Sequence, residues 1–231
     1  APVGDKGSAV MIAKDKILFI GGQQKGKGYA ASNGTIIIDI EDSFNPKIIK
    51  KESMHYPRAF ADATILPTGN VFVNGGTAVY QGAYDDTYFS NFTPEIYKTN
   101  DDIWKKMSKS NFRRNYHSTS LLLPDGRVFV AGGDVWNAQF FYPPYLFSKD
   151  NKGKINLADR PIIKKINKTI NNRKKQNMLV DNSTDIEKIS LISTGSTTHA
   201  QASELKYLSL DFTKISKNEI EFSIPQNKNT L

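Results

Sequence analysis

The sequence predicts an all-β fold in which blades of an incomplete β-propeller precede a small β-sandwich, and three observations carry that expectation. Three segments repeat one pattern of apolar strand, turn, apolar strand and Gly-Gly: SAVMIAKDKILFIGG, ADATILPTGNVFVNGG and HSTSLLLPDGRVFVAGG. Beyond residue 157 the repeat gives way to short alternating stretches separated by polar turns. No segment carries helical periodicity of useful length.

The repeats end at Gly21-Gly22, Gly75-Gly76 and Gly132-Gly133, so their first glycines are 54 and 57 residues apart. All-β units at a spacing of about 50 residues mark kelch-type propeller blades. Pro-Thr-Gly-Asn and Pro-Asp-Gly-Arg supply the fixed φ and the φ > 0 position that antiparallel turns require. After Gly76 comes Pro94-Glu95-Ile96-Tyr97, with Trp104 seven residues later; this tyrosine and tryptophan are expected to pack between blades. Closure of a propeller takes roughly four to eight blades, so three leave it incomplete. The pattern stops after Phe141–Phe147 and is followed by a polar linker, SKDNKGKINLAD. A boundary near residue 157 assigns 1–157 to propeller blades and 158–231 to the sandwich. The sandwich strands are read at Ile186–Ser193, Leu205–Phe212 and Glu219–Ile224.

Composition narrows the function classes. The 231 residues contain no cysteine, which excludes disulfides, thiolate-bound metal and thiol nucleophiles within them. No apolar stretch reaches the roughly 18 residues of a membrane helix, and the chain does not open on a basic segment followed by an apolar one. It is therefore expected to be soluble, without a membrane partner, any signal peptide being removed or not included. The formal charge is +8, concentrated after residue 148. The densest run, Arg160 to Lys175, has no aromatic side chain among its cations to stack a base and reads as a solvated face, with no nucleic-acid partner.

Only His55, His117 and His199 are available as imidazoles. His55 reads as structural. Tyr116 and His117 precede the first strand of the third repeat, and neighbours on a regular strand point to opposite faces. They can meet one ligand only where the chain is still irregular, at the rim of a propeller. His199 ends a small-residue phrase, Gly195-Ser196-Thr197-Thr198-His199. One phenol oxygen and two imidazoles suit a tetragonal copper(II) site better than a zinc cage, although spacing alone leaves structural histidines as an open alternative.

Phe92–Tyr97 followed by Tyr116–Phe129 closely resembles galactose oxidase and its relatives, the glyoxal-oxidase-like copper radical oxidases. The resemblance continues through Pro143–Phe147, Arg160-Pro161 and Gly195–His199, and so covers nearly the whole chain. It implies a seven-bladed propeller followed by an immunoglobulin-like domain that sends a loop into the propeller channel. It further implies that Tyr116 is an axial copper ligand and the catalytic base, and that His117 and His199 are copper-binding imidazoles. Tyr29 and Tyr84 fall near substrate-pocket aromatics. The implied reaction oxidises a primary alcohol or aldehyde, with a small alcohol, aldehyde or sugar as substrate and O2 as co-substrate, giving hydrogen peroxide. The Tyr–Cys radical cofactor of such enzymes is expected only upstream of this chain. The closing phrase of the family's last domain is not matched either. These residues therefore read as the C-terminal portion of a secreted, monomeric oxidase and are expected to be inactive alone. The alternative is a non-catalytic kelch-repeat binding or structural protein that keeps the scaffold. Four Asn-x-Ser/Thr triplets, at Asn33, Asn91, Asn167 and Asn182, are compatible with export.

Overall fold

The computed structural model describes residues 3–24, 30–79, 88–170, 174–198, 201–203 and 205–225, with backbone alone for 196–198 and 201–203. Among them there is no α-helix, only strands and one 3-10 turn at Pro144–Leu146. The chain divides into two compact units, Ala1–Pro143 with Ile192–Tyr207, and Pro144–Leu191 with Leu208–Leu231.

In the first unit each Gly-Gly repeat is an antiparallel meander. The first blade contains β1 (Ser8–Ala13), β2 (Lys16–Ile20), β3 (Thr35–Asp39) and β4 (Lys47–Lys51) in that order. The second contains β5 (Ala59–Ile65), β6 (Val71–Thr77), β7 (Glu95–Lys98) and β8 (Ile103–Lys106). The third has three strands, β9 (Ser118–Leu122), β10 (Val128–Gly132) and β11 (Ala138–Phe141). The all-β expectation and the three blades hold. The first and third glycine pairs stand at the ends of β2 and β10, while Gly75-Gly76 lie inside β6.

The glycine pairs answer a backbone demand. Gly75 has φ +66°, and a Cβ there would run into the carbonyl of Arg114 in the connection to the next blade. Gly75→Ala is expected to lower stability by at least about 1–3 kcal/mol from the left-handed backbone alone, with the collision added. Gly153 has φ +80° and open space around its Cβ position, so Gly153→Ala bears only the backbone cost. Urea-unfolding midpoints of the two variants separate the contributions.

The blades meet through apolar side chains closed by polar ones. Tyr97 and Trp104 lie with ring centroids 5.0 Å apart, and Trp104 Nε1 donates to Thr35 Oγ1 (3.2 Å) and the Glu52 carbonyl (2.9 Å) of the first blade. The core around them joins Val10, Leu18 and Ile20 to Ala63, Ile65, Val71 and Val73. Phe72 stacks on Phe141 at 4.4 Å between the second and third blades. Arg58 and Glu95, at 1% and 0% exposure, are buried where β5 begins. The Arg58 guanidinium donates to the carbonyls of Gly75 (2.6 Å) and Thr93 (2.5 Å) and to Glu95 (3.0 Å). Arg114 repeats the first of these contacts one blade later, donating to the Gly132 carbonyl at 2.9 Å.

The second unit begins with a hairpin of β12 (Phe147–Lys149) and β13 (Ile155–Leu157), where the sequence suggests only a polar linker. The reason is local: Asp150 accepts hydrogen bonds from the backbone N–H groups of Lys152 and Lys154, both at 2.9 Å, and Gly153 completes the turn. A four-stranded sheet follows, ordered β14 (Ile163–Ile166), β15 (Gln176–Val180), β21 (Glu219–Phe222), β20 (Phe212–Ser216). Its core comprises Met178, Val180, Ile220 and Phe222 with Ile186 and Leu210, as alternation along β15 and β21 requires. β14, within the cationic run, is exposed along its whole length. Two further strands, β16 (Ile189–Ile192) and β19 (Tyr207–Leu210), pair with each other. Between them in sequence lies a hairpin, β17 (Ser196–Thr198) and β18 (Gln201–Ser203), which belongs to the first unit.

Candidate functional site

Repeat arithmetic locates the site. Lys6, Phe60 and His117 each stand 15 residues before the first glycine of their pair, and their φ values are +64°, +60° and +62°. A left-handed non-glycine residue is uncommon, so its recurrence at one repeat position marks a turn built into the start of every inner strand. At His117 this turn removes the strand alternation that would separate Tyr116 from His117. Their rings lie side by side, with centroids 3.7 Å apart and planes inclined by 33°. The chain is irregular where a shared ligand requires it to be, and β9 begins only at Ser118.

Three contacts hold the turn. Ser118 N–H donates to the Asn115 carbonyl at 3.0 Å, Asn115 Nδ2 donates to Ser90 Oγ at 2.8 Å, and Arg114 reaches Asn137 Oδ1 at 2.5 Å. Phe60 presents its edge to Tyr116 with centroids 5.1 Å apart at 79°, a buried ring on one side of a half-buried phenol. His117 is exposed. The donors that meet here, an imidazole nitrogen and a phenol oxygen on adjoining rings and open to solvent on one side, suit a copper(II) ion taking N and O ligands.

The β17–β18 hairpin packs against the inner strands β1, β5 and β9. Its stem is closed by Ser193 and Lys206, and Met11 N–H donates to the Leu205 carbonyl at 3.1 Å. Stem residues Ile192–Gly195 and Leu205 line a cavity of about 430 Å³ with Thr64 and Leu121–Pro124, at the C-terminal ends of β5 and β9. The hairpin therefore runs back along the inner strands toward the ends at which Lys6, Phe60 and His117 stand. His199 joins its two strands in sequence and lies outside the described residues, as do Tyr29 and Tyr84. Among the described residues no three His, Cys, Asp or Glu side chains gather into a metal-binding group. His55 is structural: its Nδ1 lies 2.6 Å from Glu95 Oε2, and its backbone N–H donates to the same oxygen at 2.8 Å.

Asp62 is the residue that sequence reasoning passed over. It is 0% exposed on β5, and Ser118 Oγ donates to its Oδ2 at 2.5 Å. Burial pushes its carboxyl up to about 7, against the opposing effects of the Ser118 hydrogen bond and the Arg114 charge. The only signal in the sequence was an acid inside the apolar stretch AFADATI. The folded chain keeps a proton that the unfolded chain releases between about pH 4 and 7. Stability therefore falls as pH rises through that window. Asp62→Asn is expected to lack this loss and to gain on the parent by up to about 4 kcal/mol between pH 4 and pH 8. Urea unfolding at the two pH values measures it.

The comparisons with known proteins agree with the geometry. A family model described as glyoxal oxidase N-terminus matches residues 7–150, and one described as galactose oxidase-like, early set domain matches 160–231. A galactose oxidase of Gibberella zeae is 34% identical over 241 residues, covering 98% of this chain and 34% of the relative. The aldehyde oxidase GLOX of Vitis pseudoreticulata is 32% identical over 151 residues, covering 59% of this chain and 28% of its own. A fungal alcohol oxidase of the AA5 family, solved in complex with copper, superposes with a TM-score of 0.85 at 24% identity over 98% of this chain and 49% of its own, which shows a shared fold. The chain thus spans about a third of the galactose oxidase and half of the solved alcohol oxidase.

Proposed function

Since the chain belongs to the glyoxal oxidase family and ends in a galactose oxidase-like early set domain, we propose that it carries the metal-binding side of a copper radical oxidase acting on a primary alcohol or an aldehyde. The observation that carries this reading is the pairing of the Tyr116 and His117 rings at the end of the inner strands toward which the hairpin containing His199 runs. Tyr116, His117 and His199 would hold the copper, which when bound supplies the one-electron steps between substrate and O2. For an alcohol, two electrons and two protons pass from R–CH2OH to O2, leaving R–CHO and H2O2.

The chain's own residues supply the proton chemistry and the shelter. Tyr116 Oη accepts the proton of the substrate hydroxyl. Phe60 keeps water from one side of that phenol, and Tyr29 and Tyr84 contact the substrate. These residues contain no cysteine, so a Tyr–Cys radical cofactor has to come from outside them. The family matches end at 150 and resume at 160, which supports a domain boundary near residue 157. We read the protein as secreted and monomeric; no helix among the described residues is long and apolar enough to cross a membrane.

The test is peroxide release by the intact, copper-loaded protein with galactose, glycerol and glyoxal. Release that depends on copper and is lost in His117→Ala is the expected result, with none from the 231-residue chain alone. An intact protein that binds copper yet oxidises none of these or a wider panel of alcohols and aldehydes would instead be a kelch-repeat binding module.

A further inference from the structure

We propose that Asp62 is a positioning residue for His117, acting through Ser118. The repeat supplies a comparison within one molecule. Ser8, Asp62 and Thr119 each stand 13 residues before the first glycine of their pair, so Ser8 and Asp62 occupy one structural position in successive blades. At the junction of the first and second blades Ser8 Oγ donates to the backbone carbonyl of Ala61. A neutral hydroxyl suffices there to tie one inner strand to the next. At the following junction the same position carries a carboxylic acid, fully buried, whose one hydrogen bond among the described residues is the one from Ser118 Oγ. Its other oxygen has no partner, and neither does Nδ2 of Asn74, the residue directly opposite on β6.

Burying an acid that satisfies only one oxygen is costly, and joining the blades does not require it. Thr64 Oγ1 already bonds the Ser120 hydroxyl (2.8 Å) and carbonyl (3.0 Å) two residues along the same pair of strands. What distinguishes the Asp62 junction is its target. Ser118 is the first residue of β9 and follows the +62° turn that sets the His117 ring against Tyr116. A short hydrogen bond to a fixed, buried acceptor pins the residue on which that turn ends. Outer partners of this kind typically change metal affinity by about 10–100-fold.

The metal arm of the test rests on the reading of His117 as a copper ligand; the metal-free arm does not. In the intact, metal-free protein the His117 ring-proton resonances, assigned by their loss in His117→Gln, are expected to carry the ring-current displacement of the adjoining Tyr116. Asp62→Ser restores the side chain that works at the first junction. It is expected to fold, to shift the His117 resonances toward free-imidazole values, and to weaken copper(II) binding about 10-fold or more with altered nitrogen coupling in EPR. Thr64→Ala loosens the same junction without touching Ser118 and is expected to leave the His117 signals in place. Unchanged His117 resonances in Asp62→Ser, or equal shifts in Thr64→Ala, overturn the proposal. If the resonances move as expected while the parent binds no copper through His117, the positioning role stands and the copper reading fails.

Discussion

Arg58→Ala is expected to lower the unfolding free energy by about 3–5 kcal/mol, because removing one partner of a buried ion pair strands the other. Glu95 is 0% exposed and would keep only the His55 and Tyr56 contacts. The carbonyls of Gly75 and Thr93 would lose their donors at the same time. Arg58→Lys is expected to recover less than half of the loss. A single ammonium cannot serve two carbonyls and a carboxylate in the fixed geometry of a guanidinium. Denaturant unfolding of the three proteins checks both statements, and a loss below about 1 kcal/mol for Arg58→Ala would mean that the pair does not anchor the blade.

Tyr116→Phe is expected to lower turnover of the copper-loaded intact protein by about 10²–10⁴-fold, the range for removal of a general base. The Phe ring keeps the edge contact with Phe60 and the face toward His117, so folding and the metal-free melting temperature should change little. Steady-state peroxide release against substrate concentration measures it. A fall confined to KM would place Tyr116 in substrate binding and leave the base unassigned.

The blades were legible in the sequence because their marks are local. A Gly-Gly pair, a Pro-x-Gly turn and alternating apolar residues all lie within about 17 residues of one another. Tyr116 and His117 were legible for a related reason: they are adjacent, and their joint use requires one irregular residue, which the structure supplies at φ +62°. Asp62 was not legible, because its partner Ser118 lies 56 residues away in another blade and alternation does not say which strand faces which. Arg58 and Arg114 escaped for the same reason: each caps a carbonyl 17 or 18 residues ahead. The return of Ile192–Tyr207 to the first unit has no sequence mark either. A hairpin against an inner strand and a hairpin in a sandwich share the same alternating pattern. The β12–β13 hairpin was hidden by its exposure, since every residue of both strands faces solvent and no apolar alternation marks them.

The central claim is that imidazoles from two distant segments, His117 at the start of the third blade and His199 between β17 and β18, bind one copper ion together with Tyr116. Copper(II) titration of the intact protein followed by EPR tests it most directly. The account predicts one equivalent bound with coupling from two nitrogens, reduced in His117→Ala and again in His199→Ala, and largely lost in the double variant. Copper bound with parental affinity and an unchanged nitrogen pattern in both single variants would contradict it.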